Sequence, residues 1–301
     1  MESAVTLTEL TKLAIGSIFI GILVLCIKML SYYMTGSIAI YSDALESIVN
    51  ITTAIAALIA IQIAAKPADA NHPYGHHKAE YFSAVLEGVM IVIAAVLIFK
   101  EALAGLWEPM QQLSSYNGLY VNLLASLINA GWCYVLLSRG RKLRSPALQA
   151  DGWHLFSDVV SSIGVTVGLV LAIITGFYVL DVILAMFVAL NILISGWRVI
   201  RSSLIGLMDE AVEEEMLARF HDIIAAEASG AIEAHDIRTR QAGNMIFIDF
   251  HLVVPGDMSV SDAHIICDRI EDALEASVPE ILVTIHVEPE MKAKNSGIVD
   301  I

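Results

Sequence analysis

Charge is scarce in this 301-residue chain. Only 16% of its residues are Asp, Glu, Lys or Arg, against 57% hydrophobic, and the mean hydropathy is +0.70. A soluble domain carries nearer about a quarter of charged residues. The shortage therefore excludes an ordinary soluble protein, a disordered chain and a collagen-like one, and indicates a membrane-embedded protein. Cysteine is equally scarce: Cys26, Cys133 and Cys267 are too few and too scattered for a disulfide framework or a CxxC zinc site. Cys26 and Cys133 lie within apolar runs, where a buried, inert thiol is expected.

The charge that is present is unevenly placed. Through Met208 there are 12 acidic side chains against 11 basic ones, whereas from Asp209 onward there are 20 against 6, a local net charge of −14. A near-neutral apolar part is thus followed by a strongly acidic soluble part. Acidity of that size argues against nucleic acid as a partner and favours cations.

Six apolar segments, at about 10–33, 37–64, 81–104, 117–138, 147–175 and 178–203, each supply the ~20 residues that a bilayer-crossing helix needs. The first is no signal peptide, because it stays apolar for more than about 20 residues and lacks a small-residue cleavage pattern. Basic residues set the orientation. Lys66 and Lys78 follow the second span, Arg139, Arg141, Lys142 and Arg144 follow the fourth, and Arg198 and Arg201 end the sixth. The alternate loops SYYMTGS, GLWEPMQQLSSYNG and TGFYVLD contain no Lys or Arg. Both termini are therefore expected in the cytoplasm, with the protein in the inner (plasma) membrane.

From about Asp209 the pattern changes. EEEMLARFHDIIAAEA has helical periodicity, and HDIRTRQ and NMIFIDFHLVV alternate as strands around Ala242-Gly243-Asn244. Ser259 and Ser261 open a second helix, and EILVTIHVEP reads as a last strand. The expected architecture is an all-α six-helix membrane domain over 1–208, an α+β ferredoxin-like (αββαβ) cytoplasmic domain over 209–290, and a polar, disordered tail over 291–301.

Ionisable groups inside membrane spans are expensive and usually functional. The second span carries Asp43, Glu46 and Asn50, and the fifth carries Asp151, His154 and Asp158. Both read D-x-x-Z-x-x-x-Z, where Z can ligate a metal, and offsets of three and four share one helical face. Two such helices can gather Glu46, Asn50, His154 and Asp158 around one divalent cation. Asp43 and Asp151, a turn nearer the helix N-termini, suit capping or gating as well as coordination. Polar residues that merely tie two helices together would explain Asn50 alone, but explain the whole set poorly.

Histidine with carboxylates suits Zn(II), and also Fe(II), Co(II) or Cd(II), better than Mn(II). Metal and protons compete for such ligands, and His154 is the natural proton acceptor. Two rival readings remain: an intramembrane metalloenzyme, and a metal receptor that moves nothing. A zinc protease would require HExxH, which does not occur; HHKAE at His76–Glu80 has the wrong spacing.

These motifs resemble the cation diffusion facilitator family of divalent-metal exporters, most closely its bacterial ferrous-iron and zinc efflux branch. The similarity extends over the chain to about Pro289 and covers the six spans, the paired ligand helices, the histidine-rich second loop and the acidic αββαβ domain. It implies a homodimer that exchanges cytoplasmic metal for external protons. The branch usually places two aspartates on the second span. Counted from MTGSIAI, Glu46 and Asn50 stand at those positions, while His154 and Asp158 match outright.

The second loop, KPADANHPYGHHKAEYF, places Asp69, His72 and His76 at metal-site spacing, with Pro73 and Gly75 supplying the turn. The family has a loop site at the matching positions; His77 is an additional histidine there. The resemblance further implies a dimer salt bridge between Lys78 and Asp209. It also implies a binuclear cytoplasmic zinc site from His235, His251, His264, His286 and Glu288, the last two sharing a strand face. Asp236 is placed to orient the His235 ring, and His221 reads as helix surface.

Overall fold

A computed structural model describes residues 2–35, 38–104, 117–175, 179–278, 280–294 and 299–300; within these, the side chains of 2–6, 35, 38–43, 45–46, 101, 117–119, 165–166, 168–175, 179–182, 184 and 299–300 are not described. The chain divides into two compact units, Thr6–Leu204 and Ile205–Ile301, the latter grouped with Met1–Val5.

The first unit is six long helices: α1 Glu2–Thr35, α2 Ile38–Ala64, α3 Ala79–Ala104, α4 Asn117–Lys142, α5 Pro146–Thr175 and α6 Val179–Leu207. At 1.5 Å rise per residue each exceeds the ~30 Å hydrocarbon core. Among the described residues, five of the six contain a stretch apolar enough to cross a membrane; much of the apolar half of α5 lies outside them. Large apolar side chains such as Phe19, Phe187, Trp197 and Leu127 point outward, as lipid-facing residues do.

Helix packing relies on small residues, as expected where lipid is as apolar as the interior. Ala14, Ala57, Leu136, Ala147 and Leu148 meet where α1, α2, α4 and α5 converge. Ala84, Ala150 and Val199 join α3, α5 and α6. Gly152 lets α5 close on α4, since a Cβ there would stand 2.8 Å from the Leu137 side chain. The freed space allows the Cys133 thiol to donate to the Gly152 carbonyl at 3.3 Å. Ser145 accepts from the Leu148 N–H at 3.3 Å and thereby caps α5. Asp151, for which capping was one expectation, lies inside the helix.

The second unit contains α7 Glu214–Glu227, β1 Glu233–Ala242, β2 Met245–Val254, α8 Val260–Ser277 and β3 Ile281–Pro289. β1 and β2 form an antiparallel hairpin, whose turn includes Gly243 at φ +60°. β3 then pairs parallel with β2 after the α8 crossover. Ser259 caps α8 by accepting from the Asp262 N–H at 3.1 Å. Phe220, Ile224, Ile246, Ile248, Phe250, Leu252, Ile270 and Leu274 fill the layer between helices and sheet.

Of the segment 291–301, expected to be disordered, residues 291–294 and 299–300 are described. A 3-10 turn covers Glu290–Lys292, and a two-residue strand, β4 (Val299–Asp300), pairs with β1, giving the order β3-β2-β1-β4. Backbone donors on the open β1 edge supply the reason.

Phe250 is 1% exposed at the centre of this core. Phe250→Ala is expected to destabilise the cytoplasmic unit by about 3–5 kcal/mol, read from its denaturant midpoint.

Candidate metal sites

Three sites can be built from the fold. In the membrane unit, α2 presents Asn50 and α5 presents His154 and Asp158, all nearly inaccessible to solvent. The Asn50 amide donates to an Asp158 carboxylate oxygen, which ties the two helices together. Two lone-pair atoms are left over: Asn50 Oδ1 and His154 Nδ1 have no hydrogen-bond partner among the described residues. Buried polar atoms are rarely left so, and an amide oxygen, an imidazole nitrogen and a carboxylate are donor types suited to a divalent cation. Glu46 stands one turn before Asn50 on α2. Its side chain and that of Asp43 lie outside the described residues.

Asp151 is buried two turns before Asp158 on α5 and takes a hydrogen bond from Ser17. Ser17 in turn accepts from the Trp132 indole at 2.9 Å.

The loop between α2 and α3 folds Asp69, His72 and His76 into one cluster with ligand atoms mutually within 4.8 Å. Asp69 Oδ1 accepts the backbone N–H groups of His72 at 2.7 Å and Asn71 at 2.9 Å. It also lies 3.2 Å from His72 Nδ1, while Oδ2 lies 3.5 Å from His76 Nε2. Gly75 makes the turn at φ +83°, and a Cβ there would meet the His77 ring. His77 therefore packs beside the turn and is absent from the ligand cluster. The His72 backbone N–H, chiefly, holds the Asp69 carboxyl below its ordinary range.

Strand register makes the third site. His235 on β1 pairs with His251 on β2, which pairs with His286 on β3, so three histidines form one row across the sheet. Ring centroids are 5.3 Å apart for the first pair and 4.9 Å for the second. Glu288, two residues beyond His286 on the same face, lies 3.4 Å from His235 Nε2 and 3.5 Å from His251 Nδ1. His235, His251 and Glu288 form a metal-competent cluster, and His235 Nε2 is buried without a hydrogen-bond partner among the described residues. Those donors fit a borderline divalent cation. His286 sits at the rim, 3.8 Å from Glu288. His264 is not drawn in: exposed on α8, it faces Asp268 at 3.6 Å, one turn away.

The carboxylate that orients His235 is not Asp236. A β-bulge follows His235, and Asp236 adopts φ +52° and pairs with Lys294 Nζ at 2.6 Å. Buried Glu233 does the work instead, with Oε1 2.7 Å from His235 Nδ1 and accepting the Lys294 backbone N–H at 2.8 Å. Two-residue alternation on a strand was the available signal, since residues 233 and 235 share a face. Asp209 pairs with Arg240 at 3.3 Å within its own unit.

Residues 14–208 match the family model of the cation efflux transmembrane domain, and residues 212–290 match that of the cation efflux protein cytoplasmic domain. The chain belongs to the cation diffusion facilitator family. It is a cation efflux transporter of that family, not an enzyme. A Synechocystis protein named as an uncharacterized transporter is 37% identical, over 92% of this chain and 89% of that one. The cation-efflux pump FieF of Cronobacter sakazakii is 30% identical, over 93% and 92% respectively. Among solved structures, the metal-bound C-terminal domain of the CzcD transporter from Thermotoga maritima is 31% identical, covering 28% of this chain and 99% of that one, with a TM-score of 0.24.

Two measurements probe these sites. Glu233→Gln keeps the side-chain shape but removes the charge opposite His235 Nδ1, and should weaken cytoplasmic-site metal affinity roughly 10- to 100-fold by calorimetry. At the loop, both histidines must be neutral to bind while Asp69 stays ionised. Loop affinity should therefore fall on acidification, because protons compete with the metal for the same ligand atoms, measured in a variant carrying His154→Ala and His235→Ala so that the loop alone reports.

Proposed function

We propose that this transporter exports a divalent transition metal, Zn(II) before Fe(II), Co(II) or Cd(II), from the cytoplasm in exchange for external protons, working as a homodimer in the inner membrane with both termini cytoplasmic. The observation that carries the reading is the buried hydrogen bond from Asn50 on α2 to Asp158 on α5, with Asn50 Oδ1 and the Nδ1 of His154, buried one turn before Asp158, both without partners among the described residues. Glu46, one turn from Asn50, completes the ligand set in this proposal. The 30% identity to FieF, a cation-efflux pump, supports the same class.

Coupling follows from competition. A bound dication excludes protons from His154 and Asp158, and its departure leaves an imidazole and a carboxylate that accept them. The same helices, rocked so that the site faces one side and then the other, suffice for alternating access. Asn50 stands where the efflux branch has an aspartate. One formal negative charge is thereby removed, which weakens metal binding and lowers the number of protons that the ligands exchange.

The cytoplasmic unit acts as a regulator in this scheme. Two domains of net charge −14 repel one another in a dimer, and divalent ions at the His235–His251–Glu288 clusters reduce that repulsion.

Proteoliposomes with a pH gradient test the whole reading. Wild type should show gradient-driven metal uptake, Asp158→Ala none, and Asn50→Asp a raised proton-to-metal ratio. His235→Ala should keep uptake while losing its steep rise with cytoplasmic-side metal. Metal binding without any flux in wild type would instead identify a receptor.

A further inference from the structure

One intramembrane carboxylate has no place in the transport or loop sites. Glu87 lies about two turns into the apolar helix α3, is 0% exposed, and neither of its carboxylate oxygens has a hydrogen-bond partner among the described residues. An ionised carboxylate in such a setting is costly unless it is paired. Across the contact of Ala84 with Ala150 stands a second buried acid, Asp151 of α5, whose charge acts on Glu87. Asp151 also keeps one oxygen, Oδ2, without a partner.

The surroundings form a seam. On α3, Glu80, Ser83 and Glu87 recur at offsets of three and four, so they share one face, and all three are buried. Glu80 accepts the hydroxyl proton of Ser145, the residue that caps α5. Ser83 Oγ is, like Glu87, without a hydrogen-bond partner among the described residues. On α5 the polar positions continue as Asp151, His154 and Asp158. Apolar contacts of Ala84 with Ala150 and Val199 hold α3, α5 and α6 together beside Glu87 and Asp151.

Gly196 and Ile200 of α6 flank Gly88, and α1 contributes Ser17 to Asp151, backed by Trp132 of α4. A row of buried polar groups therefore runs from the Ser145 end of α5 toward the transport ligands, and Asp151 stands about 10 Å before Asp158 along the helix.

We propose that Glu87 and Asp151 form a proton-binding site between α3 and α5, distinct from the metal ligands, which holds one proton and passes it along this seam during exchange. The proton adds to a Glu87 carboxylate oxygen and leaves from the same atom, with no other bond changed. Two neighbouring buried acids commonly retain one proton between them, because both cannot ionise at low local dielectric. A divalent metal is the poorer occupant, since two carboxylates fall short of the ligand number that Zn(II) or Mg(II) takes. The role in exchange rests on the antiport reading above; the presence of the proton does not. Asn50 removes one titratable carboxylate from the transport site, and Glu87 supplies another.

Infrared difference spectroscopy on the full-length dimer in lipid tests the site, using an alkaline-minus-neutral pH change in H2O and D2O. Wild type should show the C=O stretch of a buried carboxylic acid. The band should vanish in Glu87→Gln and move to a new frequency in Glu87→Asp, the variant that keeps an acid should the first fail to fold. Proton release on metal binding, followed with an indicator dye, should also fall in Glu87→Gln by up to one proton per protomer. A band unchanged in both variants would overturn the proposal. So would loss of one equivalent of bound Zn(II) from Glu87→Gln in calorimetry, which would make the pair a metal site. Should the band depend on Glu87 while wild-type proteoliposomes show no proton-coupled flux, the site stands and the antiport reading fails. Coupled flux with a Glu87-independent band gives the reverse.

Discussion

The hydrogen bond from the Asn50 amide to the Asp158 carboxylate joins α2 to α5 inside the membrane unit. In a bilayer no water is available to satisfy stray polar atoms, so the few hydrophilic groups of α2 and α5 must turn toward one another. The bond uses the donor side of the amide and leaves its oxygen, with the His154 Nδ1, unpartnered. The arrangement that stabilises the helix pair therefore also leaves coordinating atoms poised for a cation. Small residues permit this. With alanines at the α1, α2, α4 and α5 junction and glycine at position 152, the backbones approach closely enough for short polar side chains to reach across.

The cytoplasmic unit reaches a comparable result by different geometry. A β-ladder brings residues far apart in sequence into lateral register, so that His235, His251 and His286 become neighbours across three strands. Glu288 closes the cluster from the next position on the same face. Glu233 fixes the His235 ring from behind, and the end of the chain returns through Lys294 to hold both Glu233 and Asp236. The bulge after His235 explains why the acid adjacent in sequence pairs with a lysine, while the acid two residues earlier meets the imidazole.

Much of this was legible beforehand. Hydropathy alone separates six long helices from an acidic α+β domain, because span length and charge density follow directly from bilayer thickness and solvation. The polar face shared by Asn50 on α2 and by His154 and Asp158 on α5 was legible through offsets of three and four, and the clustering of Asp69, His72 and His76 through their short spacing. Three features were not. His264 matches its family position, yet here it stands exposed on α8 beside Asp268. Ser145 rather than Asp151 caps α5, because a cap depends on where the backbone enters the helix. Glu87 is one acid within an apolar run, with no motif around it; only the packing of α3 against α5 gives it Asp151 as a neighbour.

By itself the sequence determined what each segment could be: which stretches tolerate lipid, which face of each helix is polar, and which part is acidic enough to attract metal. Those properties are local, set by side-chain solvation and by the fixed periods of helix and strand. Only the tertiary structure decided which polar groups share a site. Whether two buried acids meet, or which carboxylate orients an imidazole, depends on how separate helices and strands are brought side by side, and atoms distant in the chain acquire an interaction energy only once they are within a few ångströms of one another.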